Sequence, residues 1–257
     1  MPADIPDLRT RPTPGSGEGT GAERRRTGRT GPDCVKCEAR ALSLCGALRE
    51  EDLTRLDRVA SQAEFVAHDL LVEEGEVAIH LFNVSSGLVK LYKLLSDGRR
   101  QITGFLGKGD FIGFPFARVN AYTAEAVTPV RGCRFSRPDL VRLMGEVPGL
   151  EHRLLASIGD TLAAAQEQMM LLGRKNARER LASFLILQAA RQERGGYVGE
   201  RVALPMSRTD IADFLGLTTE TVSRTLTQLR KDRLIDILGT EAVVLRDREQ
   251  LEIIAQA

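Results

Sequence analysis

Residues 207–217 read Ser207-Arg208-Thr209-Asp210-Ile211-Ala212-Asp213-Phe214-Leu215-Gly216-Leu217. Ser207 suits a helix N-cap, and Asp210 three residues on makes a variant of the capping box. Ile211, Phe214 and Leu215 form one apolar stripe, and Gly216 permits a tight turn. Thr218 or Thr219 then caps a second helix. Val222, Leu226 and Leu229 give that helix an inner face at i, i+4 and i+7. Its outer, N-terminal face carries Glu220, Ser223 and Arg224, with Thr219 and Thr221 beside them. The pair reads as a helix-turn-helix, in which the start of the second helix reaches base edges in double-stranded DNA. An arginine can hold a guanine through two hydrogen bonds, and a carboxylate can accept from cytosine N4. A carboxylate facing DNA is unfavourable unless it meets such a donor, which makes Glu220 informative. The competing reading is an ordinary helical hairpin with a solvated Glu220–Arg224 pair. Candidate DNA contacts are Ser207, Thr218, Thr219, Glu220, Thr221, Ser223 and Arg224.

Downstream, Arg233 to Leu245 is two β runs around Gly239-Thr240. A hairpin directly behind a recognition helix is a wing, and its basic flanks would touch phosphate. Upstream, Ala177 to Arg194 is an amphipathic helix ended by Gly195-Gly196. Before it, Leu155, Ile158, Leu162, Ala165, Met169 and Leu172 step by 3, 4, 3, 4 and 3. Such a stripe predicts a helix that pairs with its twin in a homodimer, against the alternative of a helix packed on its own domain. Pro138 and Pro148 suit the first turns of two helices. From about 62 to 136 the chain is short apolar runs punctuated by glycine, with Asp97-Gly98 as a hairpin turn between two of them. The expected class is α+β. Residues 1–33 are a disordered tail, 34–136 a cysteine loop and β-roll, 137–173 the dimerisation helix, and 174–257 a winged helix-turn-helix.

The 257 residues carry a net charge of +1, so the chain as a whole is not a polycation built for bulk nucleic-acid binding. No apolar run is long enough for a membrane span, and no secretory signal is visible, which implies the cytoplasm. In that reducing compartment disulfides are disfavoured. Cys34, Cys37 and Cys45 fall within twelve residues, and Cys133 stands apart. That clustering calls for a metal explanation first. On the residues alone, four thiolates suit an iron–sulfur cluster and a structural zinc about equally. Lys36, Arg40, Arg131 and Arg134 lie near the cysteines in sequence and could offset the charge.

Taken together, the roll, the pairing helix and the winged helix-turn-helix resemble the CRP/FNR superfamily of bacterial transcription regulators over about residues 34 to 257. Met206-Ser207-Arg208 through Ile211-Ala212, with Gly216, Thr218 and Ser223-Arg224, is similar to that family's helix-turn-helix signature. Glu220-Thr221-Val222-Ser223-Arg224 resembles the E-x-x-S-R of the FNR branch; the cyclic-AMP branch has glycine at the place of Ser223 and arginine at that of Thr219. Cys34-x2-Cys37-x7-Cys45 plus Cys133 is similar to the spacing in α-proteobacterial FnrN-like regulators, with a longer second gap than the enterobacterial form.

The resemblance implies a cyclic-nucleotide-binding-like jelly roll and a [4Fe–4S] cluster on the four cysteines that oxygen destroys. It also implies a dimer reading a TTGAT-N4-ATCAA-type palindrome, with half-sites about one helical turn apart. The output would be activation of anaerobic or microaerobic genes, with the segment from Ile102 to Phe114 facing RNA polymerase. Where the cyclic-nucleotide branch places an acid and an Arg-Ser pair, this chain has Phe114 after Gly113 and no Arg-Ser. No cyclic nucleotide is therefore expected, since a buried phosphate would lack a partner. No catalytic residue is assigned. Two alternatives stay open: the same DNA-binding regulator with a zinc or thiol-redox cysteine site, and an iron–sulfur electron carrier, against which the helix-turn-helix argues.

Overall fold

Strands alternating inward and outward residues build two facing antiparallel sheets between residues 60 and 136 of the computed structural model, which describes Cys34 and residues 36–256. The segment 1–33, read as a disordered tail, lies outside the described residues. The strands are β1 (Ala60–Phe65), β2 (Leu70–Val72), β3 (His80–Ser86), β4 (Val89–Leu94), β5 (Arg100–Leu106), β6 (Phe111–Ile112), β7 (Thr123–Ala126) and β8 (Val130–Ser136). One sheet runs β1-β8-β3-β6 and the other β2-β7-β4-β5. Phe82, Val84, Val89, Ile112, Ala126 and Val130 fill the space between them. The expected hairpin turn joins β4 to β5, with Gly98 at φ +85°.

Before the roll come two 3-10 turns, Arg40–Leu42 and Leu44–Ala47, and a helix, α1 (Glu50–Val59). After it come α2 (Arg137–Glu146), α3 (Pro148–Arg174) and α4 (Ala177–Arg194). Pro138 and Pro148 sit in the first turns of α2 and α3. An Asn176–Glu179 capping box starts α4, and Gly195 ends it. The C-terminal part holds β9 (Arg201–Ala203), α5 (Arg208–Leu215), α6 (Thr219–Lys231), β10 (Ile235–Leu238), β11 (Ala242–Leu245) and α7 (Arg248–Gln256). The wing is therefore two of three strands, in the order β10-β11-β9, and α7 closes back on α4.

Two further apolar cores lie outside the roll. One gathers Cys34, Cys45 and Cys133 with Leu53, Leu56 and Phe135, under Leu150 and Leu154 of α3. The other joins the DNA-binding half to the roll, because Ile102 and Phe105 of β5 pack with Phe184 of α4 and Phe214 of α5. Rings of Phe105, Phe184 and Phe214 lie 5.4–6.2 Å apart, in the tilted and edge-on geometries aromatic pairs favour. Within the 102–114 segment, expected to face RNA polymerase, Ile102 and Phe105 are buried against α4 and α5; the register shift that leaves Thr103 unpaired opposite Leu91 and Tyr92 brings these two residues, three apart, to one side.

Candidate nucleic-acid interface and cysteine pocket

The capping box is formed as the sequence implied. The Ser207 hydroxyl accepts from the Asp210 N–H at 3.0 Å, and the Ser207 N–H donates to the Asp210 carboxylate at 3.2 Å. Gly216 takes φ +61°, and a Cβ there would stand 3.2 Å from Leu172, so both the turn and the close approach of α3 suit glycine. Thr218, rather than Thr219, caps α6, accepting from the Thr221 N–H at 3.1 Å. Ser207, Thr218 and Thr221 thus hold the helix starts, and the Ser223 hydroxyl donates to the Thr219 carbonyl at 2.9 Å. Glu220 and Arg224 project from the exposed N-terminal face of α6, 3.9 Å apart. Beneath them Val222, Leu226 and Leu229 are buried. At the wing, Arg246 is held by Asp236 at 2.7 Å, and Arg248 pairs with Glu193 and Glu252. The charge of the C-terminal flank is thus balanced within the chain, while Arg230, Lys231 and Arg233 on the other flank are exposed.

Residues with no local sequence signal orient this reader. Arg180 donates to the carbonyls of Leu172, Lys175 and Leu215 at 2.8–2.9 Å, joining the end of α3 to the turn. Gln168 of α3 donates to the Phe214 carbonyl at 2.7 Å. Lys90 of β4, 4% exposed, lies 3.1 Å from both Asp210 and Glu125. Arg100 of β5 reaches Asp210 at 2.7 Å and Asp213 at 2.8 Å. Burial works to raise the Asp210 carboxyl, but the Ser207 hydroxyl, Lys90 and Arg100 hold it below the usual carboxylate range. A lysine set among Val89, Leu91 and Tyr92 was the one hint of this clasp.

The stripe on α3 divides. Leu155, Leu162 and Met169 are 58%, 59% and 69% exposed, and Ala165 is exposed too. Ile158 is half-buried against the cysteine core, and Leu172 against the DNA-binding core. These two therefore make intrachain contacts besides standing on the stripe. They sit where α3 leaves the roll and where it meets α5.

Near the N-terminal end of α3 the four cysteines come within electrostatic reach of one another: Cys34 senses Cys133 and Cys45, and Cys133 senses Cys45 and Cys37. All four are free thiols, three buried and Cys37 half-buried. Burial, then a bond to Asp57, pushes the Cys34 thiol up, and burial pushes Cys133 up to about 12. Burial also raises Cys45, partly countered by the Ser43 hydroxyl and the Arg40 charge. A ligating sulfur must be deprotonated, so this apolar setting favours thiolates only with a cation present. Of the expected counter-charges, Arg40 bears on Cys45, whereas Arg134 bonds Ser61 at 3.4 Å and Arg131 pairs with Glu64. Among the described residues no three His, Cys, Asp or Glu side chains stand close enough to share one ion. Tetrahedral zinc asks four donors to meet at one point, while a cubane spreads its irons over separate corners. Four cysteine thiols brought into one region are a donor set that such a cluster would accept.

A family model described as a Crp-like helix-turn-helix domain matches residues 179–254, and one described as a cyclic nucleotide-binding domain matches residues 62–146. The transcriptional activatory protein AadR of Rhodopseudomonas palustris is 39% identical over 221 residues, which cover 86% of this chain and 92% of that protein. The transcriptional activator protein FnrL of Cereibacter sphaeroides is 34% identical over 224 residues, covering 85% and 90%. The chain belongs to the CRP/FNR superfamily of transcription regulators. The solved structure of FixK2 from Bradyrhizobium japonicum, 38% identical, superposes with a TM-score of 0.73 over 77% of this chain and 98% of that one. Superfamily members bind DNA and act as dimers. Within this CRP/FNR roll Phe114 lies edge-on to Tyr122 at 6.1 Å, and the Tyr122 hydroxyl accepts from the Gly113 N–H at 2.9 Å. No helix among the described residues is long and apolar enough to cross a membrane.

Proposed function

We propose that this chain is an oxygen-responsive regulator of anaerobic or microaerobic genes. It binds a TTGAT-N4-ATCAA-type palindrome as a homodimer in the cytoplasm and contacts RNA polymerase. The observation that supports the reading is the apolar core in which Cys34, Cys45 and Cys133 lie beside α3, with Cys37 half-buried and in electrostatic reach of Cys45 and Cys133. Those four residues would hold a [4Fe–4S] cluster, which supplies an oxygen-labile centre when bound. Arg40 offsets negative charge at Cys45. Leu150, Leu154 and Ile158 form the wall between the pocket and the exposed seam of α3, so a rearranged pocket shifts the helix that pairs. Glu220, Ser223 and Arg224 face the bases.

Metal analysis of anaerobically purified protein tests this. The expected result is about four iron per chain and a straw-brown colour that bleaches in air. Changing any one of the four cysteines to Ala abolishes assembly. Stoichiometric zinc, or metal-free protein that still answers to oxygen, overturns the cluster reading and leaves the DNA-binding assignment standing.

A further inference from the structure

A cleft of about 500 Å3 lies between the roll and the DNA-binding half, well within the range of small-molecule sites. Gln188 of α4 lines it and is 3% exposed, yet its Nε2 makes no hydrogen bond among the described residues. Three residues on, Arg191 gives one guanidinium nitrogen to the Phe105 carbonyl, while its buried Nε also lacks an acceptor. Both atoms can only donate, and a buried donor without a partner is unfavourable by the cost of its lost hydration. Lys108 and Arg201 add positive charge at the rim. Lys108 has a pair 3.8 Å away in the exposed Glu38, and the acid bearing on Arg191 is Asp110, which already accepts from the Gly107 N–H at 2.8 Å. The remaining wall is largely apolar, with Leu88, Tyr197 and Pro205.

We propose that this cleft binds a small organic anion. A turn of the Gln188 and Arg191 side chains presents their unpartnered donors to its carboxylate or phosphate, and its apolar body lies against Leu88, Tyr197 and Pro205. The site is separate from the cysteine pocket and from the Gly113–Phe114 segment of the roll. Because one wall comes from the roll and the other from α4 and β9, an occupant braces the two halves of the chain against each other.

Thermal melting of the full chain with benzoate and with phenyl phosphate, each against chloride at equal ionic strength, tests the proposal and separates carboxylate from phosphate. One or both aromatic anions raise Tm saturably beyond chloride. Arg191→Gln weakens the apparent affinity roughly tenfold or more, since a charge-assisted hydrogen bond is lost. Arg178→Gln, on the same helix outside the cleft, leaves the affinity unchanged. Should Arg191→Gln fold poorly, Ala203→Phe, at an exposed wall position, abolishes the shift by filling the cleft. The proposal is overturned if neither anion exceeds chloride, or if the shift survives in a folded Arg191→Gln or Ala203→Phe protein.

Discussion

Glu220 and Arg224 stand one turn apart on α6, both exposed, and among the described residues the polar contacts they make are with each other and with Thr221. Such a loose pair contributes little to stability, so both side chains are free to exchange partners on DNA. Arg224→Ala should therefore leave folding intact and cost about 1–3 kcal/mol at the cognate site, with discrimination relaxed at one guanine. Titrations against cognate and scrambled duplexes check it, and equal weakening on both would reduce Arg224 to a phosphate contact. Asp210 behaves in the opposite way, since it is fully engaged by Ser207, Lys90 and Arg100. Its folded pKa lies below the unfolded value of about 3.9. The stabilisation it gives is present above that value and fades as pH falls through the folded one. Asp210→Asn should accordingly lower Tm near neutral pH, with the gap to the parent protein narrowing as the solution is acidified. A gap independent of pH would mean that the carboxylate charge is not what Asp210 contributes.

A helix as long as α3, with residues 159–167 exposed all round, has little within its own chain to hold its centre. Leu155, Leu162 and Met169 recur every seven residues on that bare stretch, the spacing of a two-helix seam. Leu162→Asp should convert the dimer to a monomer, because two buried carboxylates would face each other and each 1.4 kcal/mol shifts association about tenfold. Analytical ultracentrifugation decides it, and a variant that still sediments as a dimer places the seam elsewhere. Ile158→Asp is the poorer probe, since Ile158 also packs on the cysteine core. The strongly periodic elements were legible in the sequence: α4, the α5–α6 pair, the Asp97-Gly98 hairpin and the α3 stripe. The others carried too little pattern. Helix α1 buries only Leu53 and Leu56 in ten mostly polar residues, and β9 is three residues long. The four cysteines and the exposed face of α6 could be named from local spacing. The partners of Arg180, Gln168 and Lys90 across the fold could not, because Leu215, Phe214 and Asp210 lie 35, 46 and 120 residues away; only the apolar neighbours of Lys90 hinted at its burial.

Sequence boundaries at residues 136 and 173 divide the chain into a sensor part and a reader, yet Ile102 and Phe105 of the roll sit in the same core as Phe184 and Phe214. Neither part can bury its own apolar surface completely without the other. The Lys90–Asp210 and Arg100–Asp213 pairs close over the same junction. A chain of two independent modules would melt in two steps. Here differential scanning calorimetry should record one endotherm for the metal-free protein, with calorimetric and van't Hoff enthalpies in agreement. Two resolved endotherms would show that the junction is too weak to couple the halves. The shared phenylalanine cluster also bears on how the protein is made. Phe105 leaves the ribosome well before Phe184 and Phe214, so the finished roll must wait with an apolar face uncovered until α4 and α5 are synthesised. That interval is when the nascent chain is most exposed to aggregation and most in need of a chaperone.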